Sequence, residues 1–277
     1  MPAPMLKVGQ VTIIPLSDGG FAAPPSGFMP SVPAEAWQDP EAKQYLNEDG
    51  NVPLNFGSFL IQEGGGWSLV DTGIGGRGGF APPGKLLDEL GKAQVKPEQI
   101  TRVIITHLHL DHIGWNTIDR EGKPEIVFKN ARHIVQRKDW DHWTDPPVAK
   151  ENPVIGLCAE PVMAAGLMDL IDGDVKITDC VTAWLTPGHT PGHQSLLVAS
   201  GGEKAIITGD VSHTKAQLEH TDWSPGFDTD PKLSAVTRAA VFERIEQEGL
   251  KVCAGHYPYP GIGTLVRVEG KRRWQGI

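Results

Sequence analysis

"SFLIQEGGGWSLVDTG" occupies Ser58–Gly73, and "SLLVASGGEKAIITGD" occupies Ser195–Asp210. The two stretches align without a gap. Each is a short apolar strand, a Gly-Gly turn and a second strand ending in a cluster of Thr, Gly and Asp. Each therefore reads as a β-hairpin. A helical pattern follows each one, Lys85–Lys92 after the first and Pro231–Gly249 after the second. Asp230 before Pro231 supplies an N-cap and a first-turn proline. One further strand comes next in each case, "RVIITH" (Arg102–His107) and "KVCAGH" (Lys251–His256), and both end in histidine. Hairpin, helix, strand and histidine recur in one order. Residues 1–277 are therefore expected to form one α/β domain of two similar halves that meet near residues 150–180. Strands alternating with helices imply sheets covered by helices. The repeat would bring His107 and His256 to the same edge, where two sheets meet.

Composition narrows the function. With 39% hydrophobic and 21% charged residues among 277, the chain has an ordinary globular balance and enough length for a large core. The formal net charge of -9 argues against nucleic acid as a partner, because nucleic-acid binders carry a basic face. "MPAPMLKVGQ" at the N-terminus lacks the apolar region of a signal peptide, and no run of about 18 apolar residues spans a membrane. A cytoplasmic location is expected. Cys158, Cys180 and Cys253 are scattered and show no C-x-x-C spacing, so they read as small core residues rather than metal ligands. Glycine and proline concentrate in Gly19–Pro33 and Gly73–Gly84, both read as long surface loops of the kind that carry function.

The chemistry is concentrated in "THLHLDH", Thr106–His112, directly after Val103-Ile104-Ile105. Three histidines and an aspartate in six positions are too many to be packing residues. Imidazoles with a carboxylate suit zinc, iron or manganese. His107 and His109 alternate and can converge on one ion. Asp111 and His112 continue into the next turn and can reach a second. "TPGHTPGHQS" (Thr186–Ser195) projects a histidine from a rigid Pro-Gly loop, "TGD" (Thr208–Asp210) adds an acid, and His256 completes seven donors. Two cations sharing one carboxylate use that number well. They would also lower the pKa of a shared water, and Asp111 is placed to accept or relay its proton. There is no G-x-S-x-G, P-loop or dinucleotide fingerprint.

H-x-H-x-D-H, then G-H-T-P-G-H, then T-G-D, then a late G-H resembles the metallo-β-lactamase-fold hydrolases. The resemblance runs from "VDTG" (Val70–Gly73) to "AGHYPYPGIG" (Ala254–Gly263). It implies an αβ/βα four-layer sandwich of two similar halves. It also implies that His107, His109 and His189 hold one metal, that Asp111, His112 and His256 hold a second, and that Asp210 bridges them. The family places the ligand first in "GHTPGH", which selects His189 and leaves His193 behind the ligands. By the same resemblance Asp71 orients a ligand histidine through a hydrogen bond. The cofactors implied are two divalent transition-metal ions, zinc first, with iron, manganese or cobalt as alternatives.

"HLHLDHIGWN", "WSPGFDTDP" and "GHYPYPGIG" look like the branch that contains N-acyl-homoserine lactonases and methyl parathion hydrolase. That likeness implies lactones, aryl esters or organophosphate triesters as substrates, with a homodimer open as the assembly. The alternatives in the same fold are a mononuclear iron enzyme oxidising persulfides and a glyoxalase II-like thioesterase. Seven donors weigh against the first, and the short tail after His256 against the second. Phe21, Phe28, Trp37, Trp115, Trp223, Phe227 and Tyr257 lie near these segments, and about half are expected to wall a substrate pocket. His213, three residues past Asp210, is read as structural, with substrate contact as its alternative role.

Overall fold

The computed structural model describes residues 4–76, 79 and 81–277. Its first half contains β1 (Leu6–Val8), β2 (Val11–Ala23), β3 (Val52–Glu63), β4 (Gly66–Val70) and β5 (Ile100–Ile104). A small ribbon of β6 (Thr117–Arg120) and β7 (Lys123–Ile126) precedes β8 (Arg132–Gln136) and β9 (Met168–Ile171). All but the ribbon form a seven-stranded sheet in the order β1-β2-β3-β4-β5-β8-β9. The second half supplies β10 (Val175–Lys176), β11 (Val181–Leu185), β12 (Gln194–Ser200), β13 (Glu203–Ile207), β14 (Lys251–Cys253), β15 (Ile262–Val268) and β16 (Lys271–Gly276). These seven pair in chain order.

The internal repeat is visible in the pairing. β3 and β4 form an antiparallel hairpin with β5 parallel to β4, and β12, β13 and β14 repeat that arrangement. Val70 pairs with Ile104 in the first unit and Ile207 with Cys253 in the second, so equivalent strand ends coincide. One expectation is corrected here. The strands stop at Ile104 and Cys253, and His107 and His256 each lie three residues further on, in loops. Imidazoles that must converge from different strands need the freedom of a loop, which a hydrogen-bonded ladder denies them.

Three apolar layers separate the elements. Val8, Ile13, Phe59, Val70 and Ile104 of the first sheet meet Val181, Leu196, Val198, Ile207 and Cys253 of the second. The outer face of the first sheet packs on Leu86, Leu90, Ile155 and Val162, which lie in helices. The outer face of the second packs on Val241, Phe242 and Ile245 of the helix Pro231–Glu248. The result is helix, sheet, sheet, helix. The Asp230 side chain accepts from Leu233 N–H at 3.0 Å and caps that helix, with Pro231 in its first turn.

One loop expectation changes. Gly19–Pro33 is in part strand, since β2 runs through Ala23. In Gly73–Gly84, residues Arg77, Gly78 and Phe80 lie outside the described set. The start of that loop is held by the buried Asp18, which accepts from Ile74 N–H at 2.6 Å and Gly75 N–H at 3.1 Å. Cys158 and Cys253 are buried as expected, while Cys180 is only half-buried. Among the described residues no helix is long and apolar enough to cross a membrane.

Candidate metal centre

Beyond β5 the chain runs through a loop that carries His107 and His109. Leu108 between them turns the other way into the core, with no exposure. Its N–H donates to Asp139 Oδ2 at 2.8 Å. Asp139 Oδ1 accepts from Gly192 N–H, also at 2.8 Å. One buried carboxylate thereby joins the loop of His107 and His109 to the loop of His189. Only glycine fits at 192, because a Cβ there would stand 2.3 Å from the Asp139 nitrogen. Burial pushes the Asp139 carboxyl up, against the hydrogen bonds that it accepts. The sequence reading missed this residue; its only local signal was an acid opening a helix, Arg137–Thr144.

The ring nitrogens gather closely. His107 Nε2 and His109 Nδ1 are 3.0 Å apart, and His189 Nε2 lies 3.1 Å from the first and 3.0 Å from the second. Asp210 Oδ2 sits among the rings, 3.6 Å from His107 Nε2, 3.3 Å from His189 Nε2, 3.3 Å from His112 Nε2 and 3.0 Å from His256 Nε2. Asp111 Oδ2 is 3.6 Å from both His112 Nε2 and His256 Nε2. Two donor groups result, His107, His109, His189 and Asp210 on one side and Asp111, His112 and His256 on the other. Asp210, His213 and His256 make a third overlapping group.

The far sides of the rings are tied to protein. His112 Nδ1 donates to Asp71 Oδ2 at 2.8 Å, and Asp71 also accepts from Thr106 N–H and Oγ1–H at 2.7 and 2.8 Å. His189 Nδ1 donates to Asp228 Oδ1 at 2.7 Å, and His256 Nδ1 to the Asn55 carbonyl at 2.8 Å. Asp228 and Asn55 both escaped the sequence reading: Asp228 stands inside the quoted "WSPGFDTDP" but was not singled out there, and Asn55 lies outside the quoted motifs. Such outer partners set ring orientation and tautomer. His193 does not join the donor groups. Its Nδ1 donates to the Thr186 carbonyl at 2.9 Å and its Nε2 accepts from Asp210 N–H at 2.8 Å. It therefore positions the backbone of Asp210. Gly209 makes room for it, with φ at +54° and a hypothetical Cβ only 2.6 Å from His193 Nε2.

Electrostatics follow from packing so many groups out of water. Burial holds His107 and His109 well below the ordinary imidazole range. Burial also opposes charge on His189, but the Asp210 and Asp228 carboxylates outweigh it and hold that ring up to about 9. For His112 the carboxylates of Asp210, Asp111 and Asp71 likewise outweigh burial and push it well above its usual value. Asp210 is held well below the carboxylate range by the surrounding imidazoles, His112 first among them, in spite of its burial. Among the described residues, His112 Nε2 and Asp210 Oδ1 have no hydrogen-bond partner and are buried. Orphaned donor atoms of this kind are costly unless a cation satisfies them. A set of imidazole nitrogens and carboxylate oxygens fits divalent transition metals.

The cluster forms the floor of a cavity of about 370 Å³, lined by Phe21, Leu54, Leu110, Asn152 and Phe227 beside the donors. Of the seven aromatic residues considered from sequence, only Phe21 and Phe227 line it. Phe28 packs behind Phe227 and His213. Trp37 is buried against Trp223, with ring centroids 4.8 Å apart. Trp115 donates its indole N–H to Asp18, and Tyr257 is buried with its hydroxyl on Ser212. These five have apolar layers or buried acceptors of their own to satisfy, and this draws them away from the cavity.

A family model for the metallo-beta-lactamase superfamily matches residues 58–256. An N-acyl homoserine lactonase of a Bacillus species is 31% identical over 157 residues, covering 56% of this chain and 55% of its own. The chain thus spans about half the length of that relative. N-acyl homoserine lactonase AttM of Azorhizobium caulinodans is 31% identical over 245 residues, covering 76% of this chain and 84% of its own. Among solved structures, the hydrolase AbOPH of the beta lactamase superfamily superposes with a TM-score of 0.87 at 28% identity, covering 99% of this chain and 96% of its own.

Proposed function

The chain belongs to the metallo-beta-lactamase superfamily, and on that premise we propose that it is a hydrolase using two divalent metal ions, zinc by preference, to open lactones and cleave aryl esters. One observation carries the proposal. A buried carboxylate oxygen, Asp210 Oδ2, lies within 3.0–3.6 Å of imidazoles from three separate loops, at the floor of a cavity with apolar walls. His107, His109 and His189 would hold one ion, Asp111, His112 and His256 the other, and Asp210 both. Nitrogen and oxygen donors in this number suit zinc. Ions so held would acidify a water and polarise an ester carbonyl.

The chain's own residues do the rest. Asp71, Asp228 and the Asn55 carbonyl keep three rings aimed inward. Asp210, with a side chain only 2% exposed, is kept an anion by the surrounding imidazoles in spite of that burial. Asp111, 20% exposed and lining the cavity, is the carboxylate that can take a proton from the attacking water and pass it to solvent. Phe21, Leu54, Leu110 and Phe227 cover an acyl chain or aryl ring, at about 25 cal/mol per Å² of apolar surface removed from water. The lactonase names of the relatives favour lactones with an N-acyl chain within this class.

The test is hydrolysis of an N-acyl homoserine lactone series, aryl acetates and phosphotriesters by one preparation. It is assayed metal-stripped, then reloaded with zinc, iron, manganese or cobalt. Lactone and aryl-ester rates should exceed phosphotriester rates and should vanish on stripping and return with metal. Lactone hydrolysis that persists in fully stripped protein would refute the proposal. Efficient cleavage of a glutathione thioester, or oxygen consumption with a persulfide, would move the chain to a different activity of the same fold.

A further inference from the structure

A half-buried ammonium without a counterion lines a cavity that the metal centre does not use. The cavity encloses about 180 Å³ and is lined by Tyr45, Leu46, Pro53, Lys215 and Pro258. His213 lines both this cavity and that of the metal centre. Lys215 and Tyr45 are half-buried. Burial draws the Lys215 ammonium below its ordinary value, and no charged side chain among the described residues offsets that effect. Among the described residues Lys215 Nζ has neither a hydrogen bond nor an ion pair, and the Tyr45 hydroxyl has no hydrogen bond. A cation taken partly out of water is unfavourable until an anion meets it.

The neighbouring acids are committed elsewhere. Glu41 pairs with Lys271 at 2.8 Å and with Arg273, and Glu219 accepts from Arg272 N–H and lies 3.8 Å from Arg273 Nη1. The backbone that carries Lys215 is fixed. Gln217 Oε1 accepts from His213 N–H at 2.7 Å and Thr214 N–H at 3.2 Å, and Thr214 caps the turn Lys215–Leu218. A rigid turn thus presents a free cation to a cavity whose other walls are apolar side chains and a phenol.

The lining also selects the ligand. One ammonium balances one negative charge. A phosphate dianion is met by arginine forks or a series of backbone N–H groups, and no arginine lines this cavity. A cavity of about 150 Å³ holds a benzene ring, so this one takes a ring or a short branched chain but not an N-acylated hydroxy acid. We propose that the cavity behind His213 binds a small monocarboxylate of about the size of benzoate, its oxygens on the Lys215 ammonium and the Tyr45 hydroxyl, its body against Leu46, Pro53 and Pro258. This site is separate from the one where the ester is cleaved, and it does not depend on the hydrolase reading.

The experiment uses metal-loaded protein with benzoate as the probe. Carboxylates also bind metal ions directly, so the readout is confined to this lysine: acylation of Lys215 by a limiting amine reagent, quantified by peptide mass spectrometry. Benzoate should halve the labelling rate at roughly 1 mM, in keeping with a ligand of that size, while labelling of the exposed Lys43 stays unchanged. Benzyl alcohol, its neutral counterpart, should need about tenfold more. Inorganic phosphate and N-hexanoyl homoserine should give no protection at the same concentration. Tyr45→Phe should raise the half-protecting concentration about tenfold, the loss of one hydrogen bond to a charged group. In Lys215→Met, fluorine NMR of para-fluorobenzoate should lose one bound species that wild type shows, and kcat/KM on the ester should stay at the wild-type value. Unprotected Lys215 in wild type would overturn the proposal without any variant. Equal protection by phosphate would overturn the carboxylate class, and an undiminished bound species in Lys215→Met would put the carboxylate on the metals alone. A large fall in kcat/KM in that variant would make Lys215 part of the substrate site and overturn a separate one. A wild type that cleaves no ester defeats the hydrolase reading alone, since labelling and NMR still judge Lys215.

Discussion

Asp228→Ala separates the orientation of a ligand from ligation itself. Asp228 Oδ1 accepts from His189 Nδ1 at 2.7 Å, and Oδ2 lies 3.5 Å from Arg238 Nη2, both side chains having no exposure. The substitution releases the His189 ring and strips a buried guanidinium of its countercharge. Loss of a partner that orients a ligand costs about 10–100-fold in metal affinity, or roughly 1.4–2.8 kcal/mol. An uncompensated buried charge costs about 3–5 kcal/mol. Arg238 keeps the Val211, Thr221 and Trp223 carbonyls and Ser234 Oγ as acceptors, so its share should fall below that range, at about 2 kcal/mol. Asp228→Asn retains an acceptor for His189 and loses only the charge. It should hold metal within a few-fold of wild type yet unfold at lower denaturant. Competition against a chelator measures the first quantity and urea denaturation the second. A folded Asp228→Ala protein with wild-type metal affinity would refute the claim that this carboxylate sets the ring.

Asp210→Ala should reduce metal content from two ions per chain toward none, because one carboxylate oxygen serves both donor groups; elemental analysis showing one ion bound normally would remove the bridge. In metal-free protein His189 is held up to about 9 by Asp210 and Asp228 against the effect of burial. A raised pKa stabilises the fold fully below the unfolded value near 6.5 and is lost as pH climbs through about 9. His112 and His256 shift the same way, while His107 and His109, neutral when folded, add no slope above that point. The Tm of stripped protein should therefore fall between pH 6.5 and about 9, and a flat profile would contradict the assignment. Phe227→Ala should flatten the acyl-chain preference about fivefold, the equivalent of ~40 Å² of apolar contact. Trp37→Ala should leave that preference intact and destabilise the fold by about 3–5 kcal/mol, as expected of a buried ring; the reverse ranking in kcat/KM and unfolding assays would invert the pocket assignment.

The fold class was legible because strand and helix periodicities are local. Hydrophobic alternation around a Gly-Gly turn defines a hairpin wherever it occurs, and its recurrence in the same order disclosed two similar halves. The candidate donors stood out for a similar reason: "THLHLDH" crowds three imidazoles and a carboxylate into six positions, and no packing requirement explains them. The strand ends were less so. Val103 to Ile105 is apolar without interruption, and nothing in it marks Ile104 as the last paired residue.

Only the tertiary structure decided what stands behind and above the cluster. Asp139, Asp228 and Asn55 act across 31 to 201 positions of sequence, and a lone buried polar residue has no periodicity to betray it. The pocket wall is of the same kind. Aromatic side chains near the motifs were equivalent in sequence, yet Trp37, Trp115 and Tyr257 turned toward cores and acceptors of their own, leaving Phe21 and Phe227 over the centre. Which donors a chain carries is a property of its covalent sequence. Which side of each ring meets a carboxylate, a carbonyl or open space depends on how two sheets pack, because burial leaves each polar atom only the partners that folding brings to it.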